Sequence, residues 1–346
     1  MLDQLTNQVA AAQALDAQQV RLAVGQLVDE AVPTPTKADF LTALARKGET
    51  VEEITGFARA LRGMSIAPPL DAETRAREIL DVCGTGGDHL GTFNISTTVA
   101  IVCAAAGVTV AKHGNRAITS QAGSADVLEA LGIKIELPPA EAARSLRERN
   151  FAFFFAPNYH PAFRHLAPAR KLCAARGQRT IFNFLGPLLN PARPTAQFIG
   201  VPKPELCEPI ARVLQSLSVR RGMVVCGTVG PASLDELSTL GENTVAEFYQ
   251  ERGFATSVLS PDQFPLQAAS LADLQGSDRN TNAEIVRQIL QGSDRGPKRD
   301  AVLLNAGAAL YVAGRVRTIS VGWELAAKTI DDGLAAAKLR ELISPS

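Results

Sequence analysis

Residues 79–116 carry the pattern that most restricts the fold of this chain, because they predict one strand–helix–strand unit. An apolar run of strand character at 79–83 leads into the glycine-rich loop 84–88, Gly-Thr-Gly-Gly-Asp. An apolar, helix-like run at 99–106 and a second strand-like run at 108–111 follow. Strands joined through a helix are typical of α/β proteins, in which such strands lie parallel and end at one edge of the sheet. We therefore expect an α/β fold.

The polar residues of this unit predict a phosphate-binding site at the carboxyl edge of the sheet. Glycines in the loop 84–88 let backbone N–H groups approach an anion without a Cβ in the way. The segment 94–97, Asn-Ile-Ser-Thr, stands just before the helix-like run, where its side chains can cap the helix or offer hydroxyls to a ligand. Lys112 and Arg116 follow the second strand-like run and bring positive charge to the same edge.

Each of these pieces also has a purely structural interpretation. Glycine-rich turns often serve only as tight connections. Lys112 and Arg116 taken singly would be solvated surface charges, and His113 a satisfied structural histidine. Their joint placement at one sheet edge favours a ligand site. The spacing differs from the GxxxxGK[ST] phosphate loop and from the GxGxxG fingerprint, so we do not expect ATP or a nicotinamide cofactor.

Composition excludes several other classes of protein. The chain has 346 residues, and its 35 basic and 35 acidic side chains cancel, so a protein-wide nucleic-acid-binding surface is not expected. Its five cysteines form no metal-like spacing, and without a signal peptide they favour reduced thiols in the cytoplasm. We expect Cys83 and Cys103 to pack as small hydrophobic residues. No apolar run approaches the ~20 residues needed to span a membrane.

The chain is predicted to divide into a small helical domain, residues 1–73, and a larger α/β domain, residues 74–346. Apolar residues recur with helical spacing within 20–44, and Thr50 and Glu53 match a capping box at the start of another helix. Further strand-like runs alternate with helical segments and predict a central, mostly parallel sheet. These runs lie at 134–137, 151–155, 198–201, 223–226 and 245–249.

Seven segments in a fixed order identify a resemblance to a known family. They are GTGGD (84–88), NIST (94–97), KHGNR (112–116), GSADVLEALG (123–132), APNYHPA (156–162), RTIFNFLGPLLNP (179–191) and LDELS (234–238). In this order they closely resemble the anthranilate phosphoribosyltransferases, from KGETVEEI near the start to RDAVLLNAGAAL near the end. The resemblance implies a nucleoside phosphorylase/phosphoribosyltransferase-like fold, in which helices from about 161–190 return to the small domain.

The resemblance also implies an activity. The expected reaction moves the phosphoribosyl group of 5-phosphoribosyl 1-diphosphate to the amine of anthranilate and releases diphosphate, as a step of tryptophan biosynthesis. Magnesium is the implied cofactor, and a homodimer formed through the helical domain is the implied assembly. The two substrates would meet between the domains. No nucleic acid and no membrane partner is expected.

The resemblance assigns residues to three parts of a site. The expected donor-binding residues are Gly84, Gly87, Asp88, Thr92, Asn94, Ile95, Ser96, Thr97, Lys112, His113, Gly114, Asn115, Arg116, Ala117, Ile118, Thr119, Ser120 and Ser124. Gly84, Asn115, Arg170 and Pro187 match positions that meet the anthranilate. Ser96, Asp235 and Glu236 match the magnesium ligands. Oxygen ligands of this kind suit Mg²⁺, although an Asp-Glu pair in isolation is more often the start of a helix.

The chemistry of the reaction makes the protein's task mainly electrostatic and positional. Breaking the bond between C1 and diphosphate develops negative charge on the leaving group, which Lys112 is expected to stabilise. An aromatic amine is weakly basic, so we predict no covalent nucleophile and no essential base. His113 and His160 are expected to be loop residues that shape the acceptor region. Arg170 is expected to pair bidentately with the anthranilate carboxylate.

Three stretches depart from the family pattern. Gln121-Ala122 replaces a frequent Lys-Ser, residues 171–178 form a longer connection, and Pro231-Ala-Ser233 stands where a glycine often precedes Leu-Asp-Glu. These departures leave two alternatives open. One is a phosphoribosyl or nucleoside transferase of the same fold with another aromatic acceptor, and the other is a non-catalytic relative that binds nucleic acid.

Overall fold

Helices precede, surround and follow a single mixed sheet in the computed structural model, which describes residues 1–117, 121–250 and 253–344. The helices are α1 (Leu2–Ala10), α2 (Ala17–Val28), α3 (Thr34–Lys47), α4 (Val51–Gly63), α5 (Ala72–Ala76), α6 (Ile95–Ala105), α7 (Ser124–Ala130), α8 (Pro139–Arg149), α9 (Ala156–Tyr159), α10 (Ala167–Ala175), α11 (Phe182–Leu185), α12 (Cys207–Ser216), α13 (Leu271–Leu274), α14 (Arg279–Leu290), α15 (Pro297–Val312), α16 (Ile319–Asp331) and α17 (Leu334–Ile343). Short 3₁₀ helices lie at Pro161–His165, Gly186–Leu189, Pro204–Leu206 and Pro261–Gln263. None of the helices within these ranges has the length and apolarity that crossing a bilayer requires.

Within the described residues the sheet has eight strands and joins a parallel half to an antiparallel half. The strands are β1 (Ile79–Gly84), β2 (Thr109–Gly114), β3 (Phe151–Phe155), β4 (Ala196–Gly200), β5 (Arg221–Val229), β6 (Ala232–Leu234), β7 (Asn243–Tyr249) and β8 (Gly253–Leu259). Their order is β3-β2-β1-β4-β5-β7-β8, with β6 paired to β5. The strands β1 to β5 pair in parallel, whereas β6, β7 and β8 pair antiparallel. The predicted α/β class with a mostly parallel sheet is confirmed.

The N-terminal helices form as their sequence pattern predicts. Val20, Val24 and Leu27 are buried on one face of α2. At the start of α4 the Thr50 side chain accepts from the Glu53 N–H, and the Glu53 carboxylate accepts from the Thr50 N–H. This reciprocal capping box satisfies two backbone donors that would otherwise be unpaired.

One predicted strand is wrong. Residues 134–137 are not in a strand, although Ile133 and Ile135 alternate into the core and Lys134 and Glu136 point outward. The alternation of buried and exposed side chains that suggested a strand belongs to a segment outside the sheet. No strand pairs with this segment, because the described sheet ends on that side at β3, which is paired to β2 alone.

Two boundaries also differ from prediction, and both affect the site. Strand β2 continues to Gly114, so Lys112 and His113 lie within the strand and not in a loop after it. Helix α6 begins at Ile95, so Ser96 and Thr97 occupy its first turn. The predicted strand stopped short of Lys112 because a charged side chain inside a strand is unusual unless the fold supplies it with buried partners.

The sheet separates two main apolar layers. One layer packs α6 and the C-terminal helices α14 to α17 against the sheet. On the other face, the N-terminal helices share a core with Leu166, Ala169, Leu185 and Leu188 from the middle of the chain. The thiol of Cys173 in α10 contacts the Ala38 carbonyl of α3 at 3.5 Å. The mid-chain segment, which carries Arg170, therefore packs directly on the N-terminal helices.

Candidate active site

The glycine-rich loop after β1 lies directly against Asp235. The Gly86 N–H donates to the Asp235 carboxylate at 2.5 Å, and the Asp235 N–H donates to the Asp88 carboxylate at 3.4 Å. A Cβ on Gly84 would lie 2.3 Å from the Asp235 carboxylate, and one on Gly200 would lie 1.6 Å from the Asp235 carbonyl oxygen. Only glycine fits at these two strand ends, so the sequence builds a close approach between the loop and the Asp-Glu pair.

Glu236 extends the same corner to the start of α6. Its carboxylate accepts from the Ser96 N–H at 3.2 Å and thus takes one of the free backbone donors of the helix. Asp235 and Glu236 follow β6 in an irregular segment, so the helix-start interpretation of this pair is wrong. The corner brings together all three predicted magnesium ligands, Ser96, Asp235 and Glu236.

Negative charge is concentrated here without full compensation. Burial and repulsion from Asp88 raise the pKa of Asp235 well above its ordinary value. Burial also raises the pKa of Glu236 to about 7, although nearby Lys112 opposes this shift. Buried carboxylates that repel each other are stabilised by a cation, and their oxygens are the ligands that Mg²⁺ prefers.

The protein supplies only part of a magnesium shell. Within the described ranges no group of three or more His, Cys, Asp or Glu side chains is arranged to hold a metal ion. Mg²⁺ usually keeps several waters and binds through one or two carboxylates together with substrate phosphates. The Ser96 hydroxyl and the adjacent carboxylates of Asp235 and Glu236 suit this type of coordination.

Lys112 is a buried cation beneath this corner and not the solvated charge that a lone lysine would be. Only 1% of its surface is exposed. Its Nζ donates to the Val82 carbonyl at 2.7 Å and to the Ser96 hydroxyl at 3.3 Å. Burial lowers the pKa of Lys112, whereas the nearby acidic groups act in the opposite direction.

The segment 94–97 does not cap α6 through its own side chains. Asn94 donates to the Ala122 carbonyl at 3.3 Å and accepts from Asn282 at 2.9 Å, so its amide is directed away from the helix donors. The Thr97 hydroxyl is buried, and no hydrogen-bond partner is found for it in the described part of the chain. Of the two predicted roles, capping is absent here and ligand binding stays a prediction.

The loop after β2 is held by acidic side chains of α7. Arg116 forms ion pairs with Asp126 at 3.2 Å and Glu129 at 2.9 Å. The Asp126 carboxylate also accepts from the Ala117 N–H at 2.9 Å. To bind a donor phosphate, Arg116 would have to break these ion pairs or share its guanidinium between them and the phosphate. The predicted donor-binding residues Ile118, Thr119 and Ser120 lie outside the described residues.

The other predicted donor-binding residues surround these two loops. Gly114 faces Ser124 closely, since a Cβ on Gly114 would lie 2.3 Å from the Ser124 hydroxyl. The Ser124 hydroxyl donates to the Asn115 carbonyl at 3.4 Å. Thr92 forms an isolated antiparallel β-bridge with Gln275 beside the loop after β1. Gly87, Asp88 and Ile95 lie in the loop after β1 and at the start of α6.

A row of rings connects β2 to Arg170. The ring centroids of His113 and His160 are 5.3 Å apart, and His160 stacks on Phe163 at 5.2 Å. Phe163 meets Phe182 edge-on at 5.8 Å, and the Arg170 guanidinium lies over the Phe182 ring at 5.4 Å. This row of mostly buried rings ends in a cation, a combination that suits a planar aromatic acid.

The two imidazoles in this row are neutral. Burial lowers the pKa of His113 to about 3 and that of His160 to about 4. His113 lies in β2, so its predicted position in a loop is wrong. Phe163 and Phe182 were not predicted at all. Both lie in the mid-chain segment, and they meet because the chain turns back between the 3₁₀ helix Pro161–His165 and α11.

Arg170 is half-buried without a carboxylate partner. None of the ion pairs within the described ranges involves it, and burial lowers its pKa. A buried guanidinium without a counter-ion favours binding of an anion. Pro187 lies buried in the 3₁₀ turn Gly186–Leu189, where its carbonyl accepts from the Gln197 amide at 3.0 Å.

Two family profiles match the chain. One is described as the helical bundle domain of a glycosyl transferase family and matches residues 3–65. The other is described as the α/β domain of a glycosyl transferase family and matches residues 76–336. Together they cover most of the chain.

Named relatives agree with one another. The anthranilate phosphoribosyltransferase of Lacticaseibacillus casei is 50% identical over 307 residues, which cover 89% of this chain and 86% of that protein. The crystal structure of the same enzyme from Thermus thermophilus is 40% identical and covers 98% of both chains with a TM-score of 0.89. The structure from Saccharomyces cerevisiae in complex with PRPP and Mg is 26% identical, with a TM-score of 0.87 over 99% of this chain and 96% of that one.

Proposed function

The chain belongs to the anthranilate phosphoribosyltransferase family, and from this premise we propose how its own residues perform the family's reaction. It transfers the phosphoribosyl group of 5-phosphoribosyl 1-diphosphate to the amine of anthranilate and releases diphosphate, a step of tryptophan biosynthesis. The observation that carries the proposal is the corner where the glycine-rich loop, the start of α6 and the Asp235-Glu236 pair meet above a buried lysine.

Backbone groups of the loop and the cations near β2 bind the donor in this proposal. Positive φ angles at Gly86 and Gly87 turn the backbone of the loop sharply. Such turns present N–H groups to an anion, as does the positive end of the α6 dipole. The donor-binding residues named from the sequence stay as proposed, and Arg116 would exchange part of its contact with Glu129 for phosphate.

Magnesium is the cofactor, and Ser96, Asp235 and Glu236 are proposed to hold it. Held there, Mg²⁺ would supply positive charge for the negative charge that develops on the diphosphate. The chain contributes oxygen ligands whose own charges are buried and only partly compensated by Lys112. Lys112, held next to Ser96 by hydrogen bonds, keeps positive charge beneath the departing diphosphate.

Arg170 is proposed to bind the anthranilate carboxylate, with the aromatic row beside it and Gly84, Asn115 and Pro187 completing the acceptor site. The amine of anthranilate attacks with its own lone pair and needs no strong base. Because the pKa values of His113 and His160 lie far below neutral pH, both imidazoles stay uncharged and impose no competing positive charge. Arg170 is therefore the cation that orients the acceptor.

The acceptor is tested by product analysis. The protein is incubated with 5-phosphoribosyl 1-diphosphate, Mg²⁺ and an equimolar panel of aromatic amines, and the products are identified by mass spectrometry. The proposal expects N-(5-phosphoribosyl)anthranilate as the main product. Reaction of another amine with none of anthranilate would favour the alternative of a different acceptor. The cited relatives favour anthranilate, and none of the observations above favours nucleic-acid binding.

Two further features are proposed from the resemblance. We expect a homodimer, and sedimentation should give twice the chain mass of 36.6 kDa, whereas a monomer at micromolar concentration would contradict it. A cytoplasmic location agrees with five buried cysteines that form no disulfide. Fractionation of cells that produce the tagged chain would test it.

A further inference from the structure

The 3₁₀ turn Gly186–Leu189 is held by its carbonyl groups in an unusual way. Two consecutive carbonyl oxygens accept side-chain hydrogen bonds, Pro187 from the Gln197 amide and Leu188 from the Arg62 guanidinium. The imidazoles of His113 and His160 interact with the carbonyls on either side, those of Gly186 and Leu189, which partly opposes the lowering of the two pKa values by burial. Four side chains are thus directed at four successive residues.

The four side chains that contact the turn come from four separate parts of the fold. His113 lies in β2 and Gln197 in β4, on the two sides of β1. Arg62 lies in the last turn of α4, in the N-terminal helices, and His160 precedes the 3₁₀ helix Pro161–His165. The turn therefore joins the sheet, the N-terminal helices and the mid-chain segment, and its position depends on all three.

Arg62 and Gln197 hold the turn by direct hydrogen bonds, and each approaches it from a different element. Because hydrogen bonds are directional, these two fix the Leu188 and Pro187 carbonyls relative to α4 and β4. Both donors therefore serve to position the turn.

We propose that Arg62 and Gln197 are positioning residues for the acceptor site. They act through the carbonyls of Leu188 and Pro187, which fix the ring of Pro187 where the acceptor binds. This inference rests on the proposed function, because it takes Pro187 as part of the anthranilate site. Displacement of a substrate-contacting group by a fraction of an ångström weakens binding and alignment of that substrate alone.

The donor site provides the contrast. In the described residues, the hydrogen bonds of Asp235 and Glu236 run to the loop after β1 and to α6, and none runs to the turn. Loss of the Arg62 or Gln197 hydrogen bond therefore changes the acceptor side first. The expected signature is a raised KM for anthranilate with an unchanged KM for 5-phosphoribosyl 1-diphosphate.

The test compares four variants with the wild-type enzyme. Arg62→Ala removes the donor to Leu188, Arg62→Lys retains one, and Gln197→Leu removes the donor to Pro187 with little change of volume. Arg59→Ala is the matched control, because Arg59 also lies in α4 and donates to a backbone carbonyl, that of Ser216, away from the turn. For each variant, KM for both substrates, kcat, the Kd for anthranilate and the thermal midpoint are measured.

We expect Arg62→Ala and Gln197→Leu to raise KM and Kd for anthranilate about tenfold, because one positioning hydrogen bond is lost in each. Arg62→Lys should recover part of this loss, and Arg59→Ala should show none. An unchanged KM for anthranilate in folded Arg62→Ala and Gln197→Leu, or an equal rise for both substrates, would overturn the inference. An inactive wild-type enzyme would instead contradict the proposed function.

Discussion

The charges of a few buried side chains determine what this site can bind. Asp235 lies against the loop after β1 and Glu236 against the start of α6, and the buried Lys112 compensates their charges only in part. Arg170 has the opposite imbalance, since it is half-buried and lacks a carboxylate partner in the described residues. One end of the site thus favours a cation and the other an anion, which matches a magnesium-bound diphosphate and a carboxylate-bearing acceptor.

The metal assignment predicts the effect of removing two charges. The double substitution Asp235→Asn and Glu236→Gln should lower magnesium-dependent kcat/KM for the donor by about a hundredfold or more, because the amides cannot replace anionic ligands. The measurement is an initial rate at several Mg²⁺ concentrations.

Glu205→Gln with Glu208→Gln is the control for this variant, because it removes two exposed carboxylates near the start of α12 and leaves the corner intact. Its rates should match the wild type. If the Asp235/Glu236 variant kept the wild-type dependence on limiting Mg²⁺, these residues would not hold the metal.

Arg170 should affect the acceptor and leave the donor unchanged. Arg170→Ala is expected to raise KM for anthranilate by about ten- to a hundredfold, and Arg170→Lys should recover little, because lysine lacks the bidentate geometry. Steady-state kinetics with each substrate varied in turn provide the measurement. Arg164→Ala, an exposed arginine of the preceding 3₁₀ helix, is the matched control. A loss confined to the donor KM would remove Arg170 from the acceptor site.

At the scale of secondary-structure elements, strand β1 carries a buried acid that links three segments. Asp81 accepts from the Asn190 amide at 2.8 Å and from the His113 N–H at 3.4 Å. The Asn190 amide also donates to the Ala111 carbonyl of β2 at 2.7 Å. This network ties β1 and β2 to the end of the turn that carries Pro187.

Asp81 should make stability depend on pH. Burial raises the pKa of Asp81 to about 6, above its ordinary value of 3.8, so the folded state binds the proton more tightly than the unfolded state. Its contribution is therefore most favourable below the ordinary value and declines as pH rises toward about 6. Relative to Asp81→Asn, the wild type should lose about 3 kcal/mol of unfolding free energy across this window.

Urea unfolding of both proteins at closely spaced pH values between about 4 and 7 measures this difference. Most other titrating groups are common to both proteins and cancel in the comparison. A difference that stayed constant with pH, or that grew in favour of the wild type as pH rose, would show that Asp81 does not titrate as its burial implies.

Local pattern predicted the N-terminal helices, α6 and the strands β1 to β5 and β7, because burial at period 3.6 or 2 and the capping residues act within a few positions. The C-terminal helices and the strands β6 and β8 were not predicted. The glycine-rich loop, the start of α6 and the Asp235-Glu236 pair were also named from sequence and do meet. The extent of β2 was not predictable, since Lys112 is tolerated inside a strand only through contacts to Val82 and Ser96. The aromatic row was not predicted either, because its members meet only after the chain has folded.

At the scale of the whole molecule, the strand order explains why distant segments share one site. Strand β1 lies between β2 and β4, and all three run parallel, so their carboxyl ends lie side by side. The mid-chain segment 161–190 packs on the N-terminal helices and shares their core. The proposed donor-binding residues at the sheet edge and the proposed acceptor residue Arg170 therefore belong to different parts of the fold.

The protein joins anthranilate to a phosphoribosyl group with the help of magnesium. The most direct measurement mixes the purified protein with 5-phosphoribosyl 1-diphosphate, Mg²⁺ and anthranilate and follows the loss of anthranilate fluorescence. We predict a loss that requires both the donor and the metal and that stops when either is left out. No loss of fluorescence by folded protein that binds the donor would contradict the claim.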